Sequence, residues 1–256
     1  MTAASIWQPL VDALDRRRTA GEVVDFWLRD DDAIEPTGAL NRLLELTERF
    51  SVPATLAVIP AHTDERLSDR LRARGDIEVA VHGWSHQSHA PAGEKNQELG
   101  AHRPREAVVE ELRSGFVRLA GLYPAHFVPL LVPPWNRIEP NFIGELPTIG
   151  FRALSVFGPE ASGKNAALFR RAEIKVINTH VDVMDWRGTR GCRDHAAIVA
   201  DTVRRIDQLG EGGTVGILTH HLVHDESVWA FLSTLFEFTA AHPACRWRKV
   251  VDLIDR

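Results

Sequence analysis

The chain has 256 residues, 44% of them hydrophobic and 25% charged, with a formal net charge of −5. That length can bury a full core, and the composition is that of an ordinary globular protein. The acidic balance and the lack of any Lys/Arg block exclude a general nucleic-acid binder and a basic membrane-surface protein.

The chain opens with apolar residues at helical spacing, Ile6, Leu10, Val11 and Leu14, which predict a helix over Ser5 to Arg18. This stretch lacks a basic segment followed by an apolar one, so it does not read as a signal peptide, and the expected compartment is the cytoplasm. A first strand, Val23 to Leu28, runs into Arg29-Asp30-Asp31-Asp32, and Thr37 can cap a helix over Gly38 to Phe50. Ala54 to Ile59 predicts a second strand, and a charged helix over Asp64 to Arg74 leads to a third, Ile77 to Val81. That third strand ends in His82-Gly83-Trp84-Ser85-His86, followed by a long loop rich in Pro, Gly and charge. Pro104 opens a helix to about Ala120. A fourth strand, His126 to Leu131, precedes Val132-Pro133-Pro134-Trp135-Asn136-Arg137, a short helix near Asn141 to Ile149 and a strand Phe151 to Val156. Gly158 to Arg171 reads as an insertion. Glu173 to Thr179 predicts a sixth strand, running into His180 and then Asp182 to Trp186. Asp194 caps a helix to about Leu209. The seventh strand, Thr214 to Leu218, ends at Thr219-His220-His221, and a helix over Glu226 to Ala241 and a closing segment, Lys249 to Ile254, follow.

Seven strands alternate with helices, with no linker and no internal repeat, so the expectation is an α/β fold with a parallel sheet, open or closed into a barrel, in one domain over residues 1–256. No apolar run is long enough to span a bilayer. Cys192 and Cys245 provide no disulfide framework, and a single bridge stays open.

The polar residues that look out of place cluster at strand ends, where α/β proteins build their sites. Asp30-Asp31-Asp32, His82 and His86, Pro133 to Arg137, Asp182 to Trp186 and His220-His221 would then share one pocket. Neutral imidazole is the commonest protein ligand for zinc-like ions, and Gly83 lets the backbone turn so that two rings face one point. The bland alternatives are polar loop histidines, a loop-capping pair at Asp182 and Asp185, and plain core packing for Trp135 and Trp186.

These segments resemble the ordered motifs of the polysaccharide deacetylases, the NodB-homology fold of carbohydrate esterase family four. The Asp-Asp pair stands at Asp31-Asp32, the His-x-x-x-His at His82 to His86, and the Arg-x-Pro-Pro-like turn at Val132 to Trp135. The Asp-x-x-Asp-Trp-like segment stands at Asp182 to Trp186 and the Leu-x-His at Leu218 to His220, so the match spans residues 23–222. The resemblance implies a distorted (β/α)7-type barrel and a metal-dependent hydrolase that removes an N-acetyl group from a saccharide or sugar conjugate. It implies a divalent metal, Zn2+ first with Co2+, Ni2+ and Mn2+ as alternatives, on Asp32, His82 and His86. It makes Asp31 the general base, His220 the catalytic acid and Asp185 the acid's partner, with Trp135, Trp186 and Leu218 lining an acyl pocket. Three successive aspartates leave Asp30/Asp31 as a competing register.

The family's motif-three Arg is replaced by Val132, and Arg137 is expected to turn back towards Asp31 in its stead, with Arg29 as the alternative. His221 stands where the family often has Asp, and His89, His180 and His224 are extra imidazoles expected at the surface or behind the site. The expected partner is a soluble saccharide, a nucleotide- or lipid-linked sugar, or another small amide, with no nucleic acid and no membrane span. Competing readings are hydrolysis of a non-sugar C–N bond and an inactive saccharide- or protein-binding relative.

Overall fold

The computed structural model describes residues 3–160, 173–210 and 212–256. Residues 161–171 of the expected insertion lie outside the described residues. In chain order the first elements are α1 (Ala3–Thr19), β1 (Val24–Ala33), α2 (Gly38–Phe50), β2 (Ala54–Val58), α3 (Glu65–Leu71), β3 (Ile77–Val81), α4 (Arg105–Leu122) and β4 (Phe127–Leu131). Two short helices, Pro140–Ile143 and Leu146–Ile149, precede β5 (Ala153–Leu154), β6 (Lys175–Val176) and β7 (Val181–Asp182). The helix His195–Asp207, β8 (Thr214–Thr219), the helix Glu226–Ala240, β9 (Cys245–Trp247) and the helix Val250–Ile254 complete the described chain. None of these helices is long and apolar enough to cross a membrane.

The chain forms two compact units, each assembled from separated segments. The first comprises Met1–Asp30, Thr37–Ala54 and Thr179–Lys249. Here β1 runs parallel between β8 and β9, in register from Asp25 opposite Thr214 to Asp30 opposite Thr219. β7 pairs in parallel with β8 through Val181 and Asp182. Every residue of β8 is buried, which is why its sequence is an unbroken apolar and Thr run without alternation. α1 lies on the helix His195–Asp207, and its Trp7 stacks on Phe231 with ring centroids 5.1 Å apart. Cys192 and Cys245 are both free thiols.

The second unit comprises Asp31–Pro36, Thr55–Asn178 and Val250–Arg256. Its strands run in the order β6-β5-β4-β3-β2. β3, β4, β5 and β6 pair in parallel. α4 buries Val108, Leu112 and Leu119 on the side that meets β3 and β4, and its Phe116 sets an edge against Phe127 and Phe151 at 4.9 and 5.0 Å. Buried Glu78 on β3 accepts the N–H groups of Val250 and Val251 at 2.6 and 3.0 Å, capping the closing helix with an anion where its dipole is positive.

Three expectations are corrected by the structure. β1 does not stop before the aspartates but continues through them to Ala33, because β8 pairs as far as Asp30 and the Ala33 carbonyl accepts Ile59 N–H at 3.1 Å. The single sixth strand is two: β6 pairs with β5, and β7 pairs with β8. Between them the Asn178 side chain accepts Val156 N–H and donates to the Gly158 carbonyl, taking ladder bonds for a turn. β9 escapes sequence reading because three residues carry no measurable period.

Candidate metal centre

Asp32, His82 and His86 meet in the second unit, their ligand atoms all within 4.8 Å of one another. Asp32 Oδ1 lies 3.1 Å from His82 Nε2 and 3.3 Å from His86 Nε2. β1 delivers the carboxylate at its end and β3 delivers the first imidazole one residue past its own end. The backbone is bent to achieve this. Of the seven non-glycine residues with positive φ among those described, four belong here: Asp32 (72°), His86 (56°), Trp135 (55°) and Asn136 (56°). Asp32 and Asn136 are of types that tolerate that region, but His86 and Trp135 adopt it at a cost, and such strain concentrates where geometry serves a ligand.

The His82 ring is fixed from behind. Its Nδ1 lies 2.9 Å from the Val132 carbonyl, which can only accept, so Nδ1 carries a proton and Nε2 faces Asp32. Val132 therefore serves through its backbone, where the resemblance led us to look at its side chain. The Trp135 ring sits on His86 with centroids 4.3 Å apart. Burial by itself lowers the His82 pKa, but the hydrogen bond to Asp32 and the charges of Asp31 and Asp32 outweigh it and raise the value. His86 is lowered, by burial first and then by the His82 charge, against the opposing pull of Asp32 and Glu98. The cluster is thus two imidazoles and a carboxylate, with Asp32 Oδ1 facing both rings. Two nitrogens and one oxygen converging on one point are a donor set for a zinc-like divalent ion, and the second ring nitrogen of His82 is already oriented by a carbonyl, as metal-binding imidazoles are.

Asp31 is 2% exposed beside this cluster in sequence. Arg137 is placed differently from expectation. Its Nη1 donates to the Asn96 carbonyl at 2.6 Å, and among the described residues it makes no ion pair with Asp31. The reason is local: Arg137 follows the left-handed pair Trp135 and Asn136, which turns the chain towards the loop that carries Asn96. Arg29, the alternative, is fully buried on β1 two residues before Asp31.

The first unit holds the remaining candidates. The edge of Trp186 meets the His220 ring at 4.7 Å, and the Trp186 indole donates to Asp182 Oδ2 at 2.8 Å. His220 N–H donates to His224 Nε2 at 3.2 Å, and burial pushes the His224 pKa down to about 4, so that ring is a neutral acceptor. The Asp185 carboxylate accepts the amides of Gly188 and Thr189, both at 3.0 Å, and these bonds lower its pKa, so it shapes its own loop. Leu218 is buried on β8 between Arg29 and Asp182.

Sequence placed Asp30 only in the aspartate run and its competing register, and it did not single out Glu98. Asp30, fully buried, accepts the Thr219 hydroxyl at 2.7 Å and the His221 amide at 2.9 Å, and it makes a short bond to His221 Nδ1. Burial opposes its ionisation, but the charge and hydrogen bond of His221 prevail and lower its pKa. Glu98, also fully buried, binds the turn between the two metal-type histidines. Nothing short of the closed loop could have found it.

The chain has the α/β fold of the polysaccharide deacetylases, the NodB-homology fold of carbohydrate esterase family four. It is similar to a Mycobacterium smegmatis protein assigned as a polysaccharide deacetylase, at 16% identity over 92% of this chain and 90% of that one, with a TM-score of 0.65. It is similar to the Bacillus subtilis peptidoglycan deacetylase PdaC at 17% identity, over 91% of each chain, with a TM-score of 0.55. A Clostridium thermocellum family 4 acetyl xylan esterase, solved with a cobalt ion, matches at 12% identity over 90% of each chain, with a TM-score of 0.54. No family model and no curated protein matches by sequence.

Proposed function

We propose that this protein is a divalent-metal-dependent hydrolase that removes the acetyl group from an N-acetylated sugar. The observation that carries the reading is the convergence of Asp32, His82 and His86, with Asp32 Oδ1 within 3.3 Å of both ring nitrogens. A bound divalent ion, Zn2+ first, would supply Lewis acidity that polarises the amide carbonyl and eases ionisation of water. Asp31 takes the proton from the attacking water as a C–O bond forms at the acetyl carbon. His220 gives a proton to the sugar nitrogen as the C–N bond breaks, releasing acetate and an amine. Trp135, against His86, offers apolar surface for the acetyl methyl, and the resemblance gives Trp186 a substrate-lining role as well. Arg29 takes the orienting role on Asp31 that the resemblance gives to an arginine: it is fully buried, and strand alternation points both side chains to one face.

The test is acetate release from a panel of N-acetyl sugars and short oligomers after metal depletion and add-back. Activity that disappears with chelation and returns with Zn2+ or Co2+ is expected. In His220→Ala, turnover should fall by roughly 10²–10⁴-fold with metal content retained. Release of acetate only from non-sugar amides would move the substrate class, and metal-independent release would contradict the mechanism.

A further inference from the structure

The turn that carries both histidines, His82 to His86, is closed on one side by a buried carboxylate. Glu98 Oε1 accepts Ser85 N–H at 2.8 Å and the Ser85 hydroxyl at 3.1 Å, and Glu98 Oε2 accepts Trp84 N–H at 3.3 Å. Gly83 lies against the same group: a Cβ there would stand 2.1 Å from Glu98 Oε2 and 2.7 Å from the Pro134 ring, at φ +59°. On the other side the turn's carbonyls are also taken, Trp84 O by Ala61 N–H at 2.9 Å and Ser85 O by His62 Nε2 at 3.2 Å. Glu98 is held in place by its neighbours. Arg137 binds the Asn96 carbonyl at 2.6 Å and Glu139 N–H binds the Leu99 carbonyl at 2.7 Å, so the segment around Glu98 is tied to the 137–139 stretch on both sides.

We propose that Glu98 is the positioning residue of the metal centre, an acceptor that presets the His82–His86 turn so that both imidazoles face Asp32 before any ion binds. The inference rests on the metal-binding reading of Asp32, His82 and His86. Three donors converge on Glu98, and a carboxylate is the side chain that only accepts. Glutamine has the same shape but must turn its NH2 towards at least one of those donors, leaving a buried N–H facing another. Arg137 then acts on the metal centre at one remove, by fixing the loop that delivers Glu98.

The experiment measures Zn2+ affinity by competition with a chromophoric chelator, and the visible spectrum of the Co2+ form, for wild type, Glu98→Gln and Glu94→Gln. Glu98→Gln is expected to weaken Zn2+ binding about 10–100-fold, the usual consequence of losing a group that orients a ligand, and to alter the Co2+ bands. Glu94→Gln, on the exposed part of the same loop, should match wild type in both. Wild-type affinity and an unchanged Co2+ spectrum in Glu98→Gln would overturn the proposal while leaving the metal site intact. A wild-type protein that binds no metal would overturn the underlying reading and this inference with it. Amide exchange in the metal-free wild type covers the case in which Glu98→Gln does not fold. Trp84 and Ser85 amides should already be slow and stay slow when Zn2+ is added; fast exchange that slows only with Zn2+ would show the ion, and not Glu98, ordering the turn.

Discussion

At the residue scale the decisive group is His82. Its Nδ1 is committed to the Val132 carbonyl, and its Nε2, where a second ring proton would sit, lies 3.1 Å from Asp32 Oδ1. A raised imidazole pKa means the folded metal-free state holds that proton more tightly than the unfolded chain does. The stability it contributes is therefore full below about pH 6.5, the ordinary imidazole value, and is lost as pH rises through the raised one. Metal must displace the same proton, so its stabilisation has the opposite pH sense. We expect the gain in Tm on adding saturating Zn2+ to grow from pH 6 to pH 8, and the metal-free Tm to lose the His82 contribution as pH rises through the raised imidazole value. At about 100 Kd of free ion the gain corresponds to roughly 2.7 kcal/mol. Thermal scans at several pH values check this; a Zn2+ effect that shrinks with rising pH would contradict the assignment of His82.

At the element scale, the loop that carries Trp186 is secured twice. Asp185 accepts the amides of Gly188 and Thr189, and Asp225 accepts Cys192 N–H at 3.0 Å while capping the helix Glu226–Ala240 through Val228 N–H at 2.9 Å. Asp225→Ala is expected to cost about 1 kcal/mol through the lost cap, and Asp225→Asn only a few tenths, since Asn caps nearly as well. Denaturant midpoints of the two variants measure it, and equal losses would mean that charge and not capping matters at this position. Caps of this kind were legible beforehand. Thr37 and Asp194 announce α2 and the helix His195–Asp207 in the sequence, and in the structure they accept Leu40 and Ala197 N–H at 3.1 and 3.0 Å. So were the strands that end in His82 and His220, because buried parallel strands are continuous apolar runs. The two-residue strands β5 and β6 lie inside the expected Phe151 to Val156 and Glu173 to Thr179, but β7 was not legible as a strand of its own, since so short a stretch has no period and its identity is set by its partner. Asp32, His82 and His86 could be picked out because their residue types and spacing are themselves chemical. Glu98 and the Asp30–His221 pair could not, because each acquires its meaning only when a loop or a neighbouring strand closes on it.

At the scale of the whole molecule, the chain leaves and re-enters its two compact units several times, so neither unit is a continuous stretch of sequence. We propose that the 256 residues unfold as one cooperative domain, because a unit made of three separated segments cannot be released without freeing the segments that connect it. Far-ultraviolet circular dichroism and tryptophan fluorescence should then report one coincident denaturation midpoint, with Trp84 and Trp135 in the second unit and Trp7, Trp27, Trp186, Trp229 and Trp247 in the first. Two separated midpoints would show independent folding units.

The central claim is that Asp32, His82 and His86 together hold a divalent metal. It is tested most directly by elemental analysis of the folded protein after metal loading and desalting, with His82→Ala prepared in parallel. We predict one equivalent of zinc or cobalt per wild-type chain and a near-complete loss in His82→Ala, because removing one of three protein ligands leaves a carboxylate and a single imidazole. Equal metal content in folded wild type and folded His82→Ala, at one equivalent or at none, would contradict it.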